Sequence, residues 1–255
     1  MLDLDPPHEK THTWTAFFFH IATIIVGLFV AIGLEQTVEA IHRHRELVLL
    51  QSELRQEALH NRAIAEGDLL WMNRQILWLL EVKDALDSIS ATNSDPVMLP
   101  AKPQLPKGAV VDEDLVLTAW KIAGEDTTVA LLPHDDAMRY SNAYAAAEQE
   151  RREDALATAA GMHFESFFVG GLRGSGDLDL THLSPADREA VARTTAELLA
   201  TLRQQKNAMA VFYGMNENAI SGDTNATAFN RHKNEILQRY PDPYIGNDTA
   251  SYFGR

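Results

Sequence analysis

The sequence predicts an all-α protein in which an N-terminal transmembrane helix continues into an antiparallel helical bundle of about four helices. Three observations carry that expectation. A run of 21 residues near the start holds no Asp, Glu, Lys or Arg. Apolar residues then recur at near-heptad spacing over some fifty residues, and again toward the C-terminal end. No segment shows the strict alternation of a half-buried strand.

The uncharged run is Trp14–Leu34, WTAFFFHIATIIVGLFVAIGL. At about 1.5 Å per residue it spans roughly 30 Å, the thickness of a bilayer's hydrocarbon core. Trp14 and Phe17–Phe19 stand at one end, where an aromatic belt lies, and Glu35 closes the other. A cleaved signal peptide competes, since Ala31 and Gly33 form a small-x-small site. The leader, residues 1–13, is acidic, with Lys10 its only Lys or Arg, and the apolar run is longer than a signal core. A buried core helix competes too, but would keep a polar stripe. The expectation is a retained single-pass anchor. Lys10 and the amino terminus on one flank nearly balance Arg43 and Arg45 on the other. That balance tips only slightly toward a cytoplasmic C-terminal domain and assigns no side.

Residues 35–90 read as one long amphipathic helix. Leu47, Leu50, Leu54, Ala58, Asn61, Ala65, Leu69, Met72, Ile76, Leu79 and Leu86 follow the stripe, no proline falls between Pro7 and Pro96, and Gly67 is the one glycine after Gly33 in that stretch. The drifting register favours packing within the chain over a coiled coil between copies. Residues 91–111 carry four prolines and form an irregular connection. Residues 112–220 form a helical domain. A first helix is expected from Asp112 to Ala123, stopped by Gly124. A second starts at Pro133, with Asp135 and Asp136 in its first turn, and reaches about Phe168, with Tyr140, Tyr144, Ala147, Ala155, Ala159 and Met162 on or near one face. A Gly-rich link follows. Ser184–Pro185 is an N-cap followed by proline at the first helical position. Behind it Val191, Thr195, Leu198, Leu202, Gln205, Met209 and Phe212 repeat at four-three spacing to about Met215. Residues 221–255 read as an irregular tail with one turn at His232–Arg239. Trp71, Trp78 and Trp120 are expected to pack in the helical core.

Composition narrows function. The chain has 255 residues, with 22 Lys plus Arg against 36 Asp plus Glu, for a net charge of −14. An acidic chain lacks the basic face that nucleic acid requires. The absence of cysteine removes disulfides, thiolate nucleophiles and Cys-ligated metals. Within the apolar run Gly27 and Ala31 form a small-xxx-small pair, which lets a second helix approach closely. They are the candidate membrane-helix packing residues, and His20 is expected to bond a neighbouring helix. Beyond the run His42, Arg43 and Arg45 are candidate contacts to lipid headgroups. His42 and His44 point roughly 200° apart on a helix and cannot chelate one ion together.

Catalytic motifs are weak. His8-Glu9-Lys10-Thr11-His12 matches the H-E-x-x-H zinc pattern, but follows Pro6–Pro7 and lacks the apolar flanks that bury a catalytic helix. Gly170-Gly171 and Gly174-Ser175-Gly176 lack the strand before and the Gly-Lys-Ser/Thr after that make a phosphate loop. Asp177, Asp179 and His182 do not follow the EF-hand pattern. No Gly-x-Ser-x-Gly elbow places a serine nucleophile. The expectation is therefore no catalytic residues, no metal and no cofactor.

The stretch HIATIIVGLFVAIGLEQTVEAIHRHRE followed by a long helix resembles an uncharacterised family of single-pass bacterial inner-membrane proteins with a short N-terminal tail and a helical domain. The later pattern of Trp120, Ala123, Leu131, Pro133, Arg139, Tyr140, Ser141 and Tyr144 is similar to that family as well. The resemblance implies a bacterial inner-membrane location and carries no activity. Together these readings give a membrane-anchored helical accessory or assembly protein. Its expected partners are the lipid bilayer and, through the transmembrane helix, a second copy or another membrane protein, with no nucleic acid. The alternatives are a ligand-sensing bundle with a pocket near Tyr140 and Trp120 and, more remotely, a zinc metallopeptidase.

Overall fold

The computed structural model describes residues 14–89, 98–100, 113–168, 177–180 and 183–243. The chain divides into two units, Met1–Leu49 and Leu50–Arg255. Five α-helices account for most of the described residues: α1 Trp14–Ser88, α2 Thr118–Glu125, α3 His134–Ser166, α4 Pro185–Ser221 and α5 Ala226–Arg239. A short 3₁₀ turn, Thr128–Leu131, joins α2 to α3. Two three-residue strands, β1 Met98–Pro100 and β2 Asp177–Asp179, pair antiparallel with Leu99 opposite Leu178. They fall in the Pro-rich connection and the Gly-rich link, where too few residues alternate for periodicity to announce a strand.

In the second unit the stripe on α1 is the core. Leu50, Leu54, Ala58, Asn61, Ala65, Leu69, Met72, Ile76, Leu79 and Leu86 are all buried. The four-three repeat on α4 is buried in full as well, from Val191 to Phe212. Contacts between the elements give the directions. Gln51 meets Asp136 of α3, Glu57 meets Tyr144, and Trp78 meets Phe164 edge-to-face at 5.8 Å, so α1 and α3 run parallel. Ala58 meets Asn216, Asn73 meets Lys206, and Ile89 meets Arg188, so α4 runs antiparallel to α1. It is antiparallel to α3 by the same logic, through Arg139 with Gly222 and Glu153 with Gln204. Val116, just before α2, is bonded to Asn61 in the earlier half of α1, while Ile89, just past the end of α1, meets Arg188, so α3 sets out from the same end of the bundle as the packed part of α1.

Helix ends follow local chemistry. Ser184 caps α4, its Oγ accepting from the Asp187 N–H at 3.2 Å with Pro185 behind it. Gly222 at φ 85° stops α4, beyond the expected Met215. The extra residues include Asn216 and Asn218, polar in sequence yet buried, with Asn216 donating to the Ala58 carbonyl at 2.8 Å. The guanidinium groups of Arg55 and Arg139 donate to the carbonyls of Ile220 and Gly222 at 2.9 and 3.0 Å, satisfying acceptors at the negative end of the helix.

Three expectations are corrected. The first short helix begins at Thr118, not at Asp112, because the backbone of Val116 is bonded to Asn61 instead of to a helical turn. Ala155, Ala159 and Met162 of α3 face out, while Ala143, Ala147, Glu150, Ala157 and Phe164 face in. The tail expected to be irregular holds α5, capped by Asn225, whose Oδ1 accepts from the Ala228 N–H at 2.7 Å. The three tryptophans Trp71, Trp78 and Trp120 are half-buried at the edges of the core.

Helix α5 lies against α4 at Gly214. A Cβ placed there would stand 2.9 Å from the Phe229 ring and 3.1 Å from its carbonyl oxygen. The backbone oxygen cannot swing aside as a side chain can, so bulk at this position must separate the helices. Gly214→Val is expected to lower stability by about 1–3 kcal/mol, the usual cost of overpacking. Hydrogen exchange should localise the loss to α5, and unchanged protection there would refute the close approach.

Candidate functional site

In the first unit, helix residues from Phe17 to Glu46 are exposed throughout. Trp14, Phe19, Ile24 and Phe29 are each at least 70% exposed. So much uncovered apolar surface is outside what a water-soluble helix presents. Among the described residues this is the one helix long and apolar enough to cross a membrane, and none of its apolar window is buried in protein. Two of its hydroxyls are satisfied within the helix. Thr23 Oγ1 donates to the Phe19 carbonyl at 2.8 Å and Thr37 Oγ1 to the Gly33 carbonyl at 2.7 Å, each bonding back one turn along the helix. Trp14, Phe17 and Phe18 cluster at the N-terminal end, the first two edge-to-face at 5.9 Å.

Gly27 has open space where a Cβ would be, and Ala31, four residues on, is exposed beside it. His42, Arg43 and Arg45 are exposed, and Arg43 reaches back one turn to Glu39 at 3.8 Å. The structure thus leaves all five predicted site residues on the surface of one helix and gives none of them a tertiary partner among the described residues.

The second unit holds its chemistry inside. The carboxyl of Glu57 accepts from the Tyr144 hydroxyl and, at 2.8 Å, from the Ala119 N–H. One turn along, the Asn61 amide bonds both the N–H and the carbonyl of Val116, at 2.7 and 2.6 Å. Trp120 stacks on Tyr144 with ring centroids 5.2 Å apart. Burial first, then the hydrogen bond to Glu57, raises the Tyr144 hydroxyl well above its usual range. These residues fasten the chain entering α2 onto α1 and α3. Beside them a shallow groove open to solvent is lined by Leu117, Trp120, Lys121, Ser141, Tyr144 and Glu148 among others. Lys121 and Glu148 pair at 3.5 Å on its rim. Trp120 lies in the expected pocket region, and Tyr140 does not line the groove.

A scan against protein families, a search of curated proteins and a search of solved structures each found no match.

A second polar layer lies deeper. Lys206 is 5% exposed, and its ammonium donates to Asn73 Oδ1 at 2.7 Å and to the Tyr240 carbonyl at 2.6 Å. Arg203 grips Asp242 with two bonds, at 2.6 and 3.1 Å. Together they tie the chain after α5 to α4. Burial lowers the Lys206 ammonium to about 8, against the pull of Asp242. Glu150, 4% exposed, meets the Gln205 amide at 3.3 Å. Burial pushes its carboxyl up to about 7.

Sequence reasoning passed over Glu57, Glu150 and Lys206, because charged residues are taken as solvated unless something pairs them. A signal was present: Asn61 and Gln205 stand at core positions of otherwise apolar stripes, where a polar side chain requires a buried partner. The His8–His12 segment, Gly170–Gly176 and His182 lie outside the described residues. Among those described, no group of three or more His, Asp and Glu is placed to hold a metal.

Proposed function

We propose that this chain is a membrane-anchored helical accessory or assembly protein without catalytic activity, a single-pass protein of a bacterial inner membrane. The observation that carries the reading is the apolar surface of the helix segment from Phe17 to Leu34, exposed along its length where a folded protein would cover it. A bilayer supplies that cover. Gly27 and Ala31 supply a flat face on which a second membrane helix, from another copy or another protein, packs backbone to backbone. His42, Arg43 and Arg45 follow at the depth of anionic headgroups. The bacterial location rests on the resemblance in the membrane segment. The ligand-sensing alternative draws its support from the groove at Trp120, which is an open indentation instead of an enclosed site.

The full-length chain is expected to stay with membrane vesicles through an alkaline carbonate wash; quantitative release of uncleaved protein would overturn the anchor. Gly27→Ile places a branched side chain on the packing face. It should reduce the detergent-solubilised oligomer or the co-purifying membrane partners by several-fold, and an unchanged profile would remove that face from the proposal.

A further inference from the structure

We propose that the joint of α1, α3 and α4 is a proton-gated contact: Glu150 carries a proton while the three helices are closed on it, and the contact loosens when that proton is lost. The inference concerns the second unit alone and does not depend on the membrane anchor.

The geometry around Glu150 leaves an ionised carboxylate poorly served. Its hydrogen-bond partner is the neutral Gln205 amide of α4, whose nitrogen also donates to Asp154 Oδ1 at 2.8 Å, the shorter of the two bonds. The charges that act on it from the surrounding helices are mostly of its own sign. Asp68 comes from α1 and Asp154 from α3, one turn on. Arg151 of α3 is the opposing charge, and its guanidinium is engaged by the Leu115 carbonyl at 2.6 Å and by Glu148 at 3.9 Å. Lys206, the next residue on α4, directs its ammonium to Asn73 and Tyr240. No ion pair to Glu150 forms among the described residues. A buried charge without a cation is resolved either by taking up a proton or by opening the structure to water. At low pH Glu150 does the first, and at high pH the second becomes the cheaper course.

The direction of the pH effect follows. Burial is the main cause that lifts the Glu150 carboxyl from 4.5 to about 7, with Asp154 and Asp68 adding to it and the Gln205 bond and Arg151 opposing. Between those values the folded chain holds a proton that the unfolded chain has released. The stabilisation is therefore fully present below about 4.5 and is lost as pH rises through about 7.

The test uses the full chain in detergent micelles. The side-chain carboxyl carbon of Glu150, assigned by its absence in Glu150→Gln, should titrate with a midpoint near 7; a midpoint below about 5, the range of an ordinary carboxyl, overturns the proposal. Amide exchange in α3 around residue 150 and in α4 around residue 205, corrected for the intrinsic pH dependence, should rise about sevenfold from pH 5.5 to pH 6.5, where the open form has released the proton that the closed form still holds, and less than about twofold from pH 7 to pH 8. In Glu150→Gln, which imitates the protonated acid, it should change less than about twofold. An equal rise in both proteins also overturns it. Gln205→Met leaves Glu150 in place and removes its hydrogen bond, so the midpoint should move upward; an unmoved midpoint counts against the joint as described, even if the Gln variant fails to fold.

Discussion

Replacing Asn61 with leucine is expected to destabilise the helical unit by about 3 kcal/mol, although leucine is the residue an apolar stripe would ordinarily call for. Asn61 is 2% exposed and spends both halves of its amide on one residue, giving a hydrogen to the Val116 carbonyl and taking one from the Val116 N–H. Each such bond contributes about 1 kcal/mol net, and a partner left buried and unpaired costs about 1–3 kcal/mol more. Leucine removes both bonds and supplies neither replacement. The backbone of 113–117 cannot recover by becoming helical, because Leu115 and Leu117 are buried in their present positions and the Leu115 carbonyl is held by Arg151. Thermal unfolding followed by circular dichroism should show Tm lower by about 6–12 °C, taking about 2–4 °C per kcal/mol for a unit of this size. Hydrogen exchange at Val116 should rise before global unfolding. A loss below about 0.5 kcal/mol, the range of neutral surface changes, would mean the amide clamp does not hold the segment.

Phe212→Ala is expected to cost about 3–5 kcal/mol, the largest single effect among apolar truncations here. Phe212 is 2% exposed, the largest of the fully buried side chains, and sits on α4, which packs against α1, α3 and α5. Truncation forfeits the transfer free energy of the ring and leaves a cavity that several helices must close over together. Leu156→Ala on α3 is the matched control. Leu156 is 56% exposed, so the same kind of truncation should change stability by no more than about 0.5 kcal/mol. Denaturant unfolding of the two variants side by side reads the difference. Equal losses would mean that the assignment of inward and outward faces on these helices is mistaken.

That contrast marks where sequence reading succeeds and fails. The stripes on α1 and α4 are legible because large aliphatic residues recur at helical spacing over many turns, and each repeat constrains the next. The second half of α3 is not. Its faces differ mainly in alanine, and alanine is compatible with either side, so spacing groups Ala155 and Ala159 on or near one face with Tyr140, Tyr144 and Ala147, whereas Ala157 and Phe164 are the buried ones. Helix α5 is short and carries few apolar residues, although Ala228, Phe229, Ile236 and Leu237 lie on one face. Ala228 and Ile236 are buried, with Phe229, His232, Lys233 and Leu237 half-buried on the same side, but two of those six are polar or charged, and the clearest local sign of the helix is the Asn225 cap.

The candidate sites divide in the same way. The uncharged Trp14–Leu34 run, the small pair Gly27 and Ala31, and the basic residues beyond them are properties of composition and spacing along one helix, so the sequence by itself determined them. It also determined that the chain would be helical and that Ser184 would open α4. What only the tertiary structure decided is which polar residues are taken inside. Whether Glu57, Asn61, Glu150 and Lys206 are solvated or buried depends on residues 55 or more positions away that bring Val116, Tyr144, Gln205 and Asn73 to within bonding distance. Helical periodicity is a local property, fixed by neighbours three and four residues apart; the partner of a buried polar group is chosen by the packing of whole helices, and no window of sequence contains both.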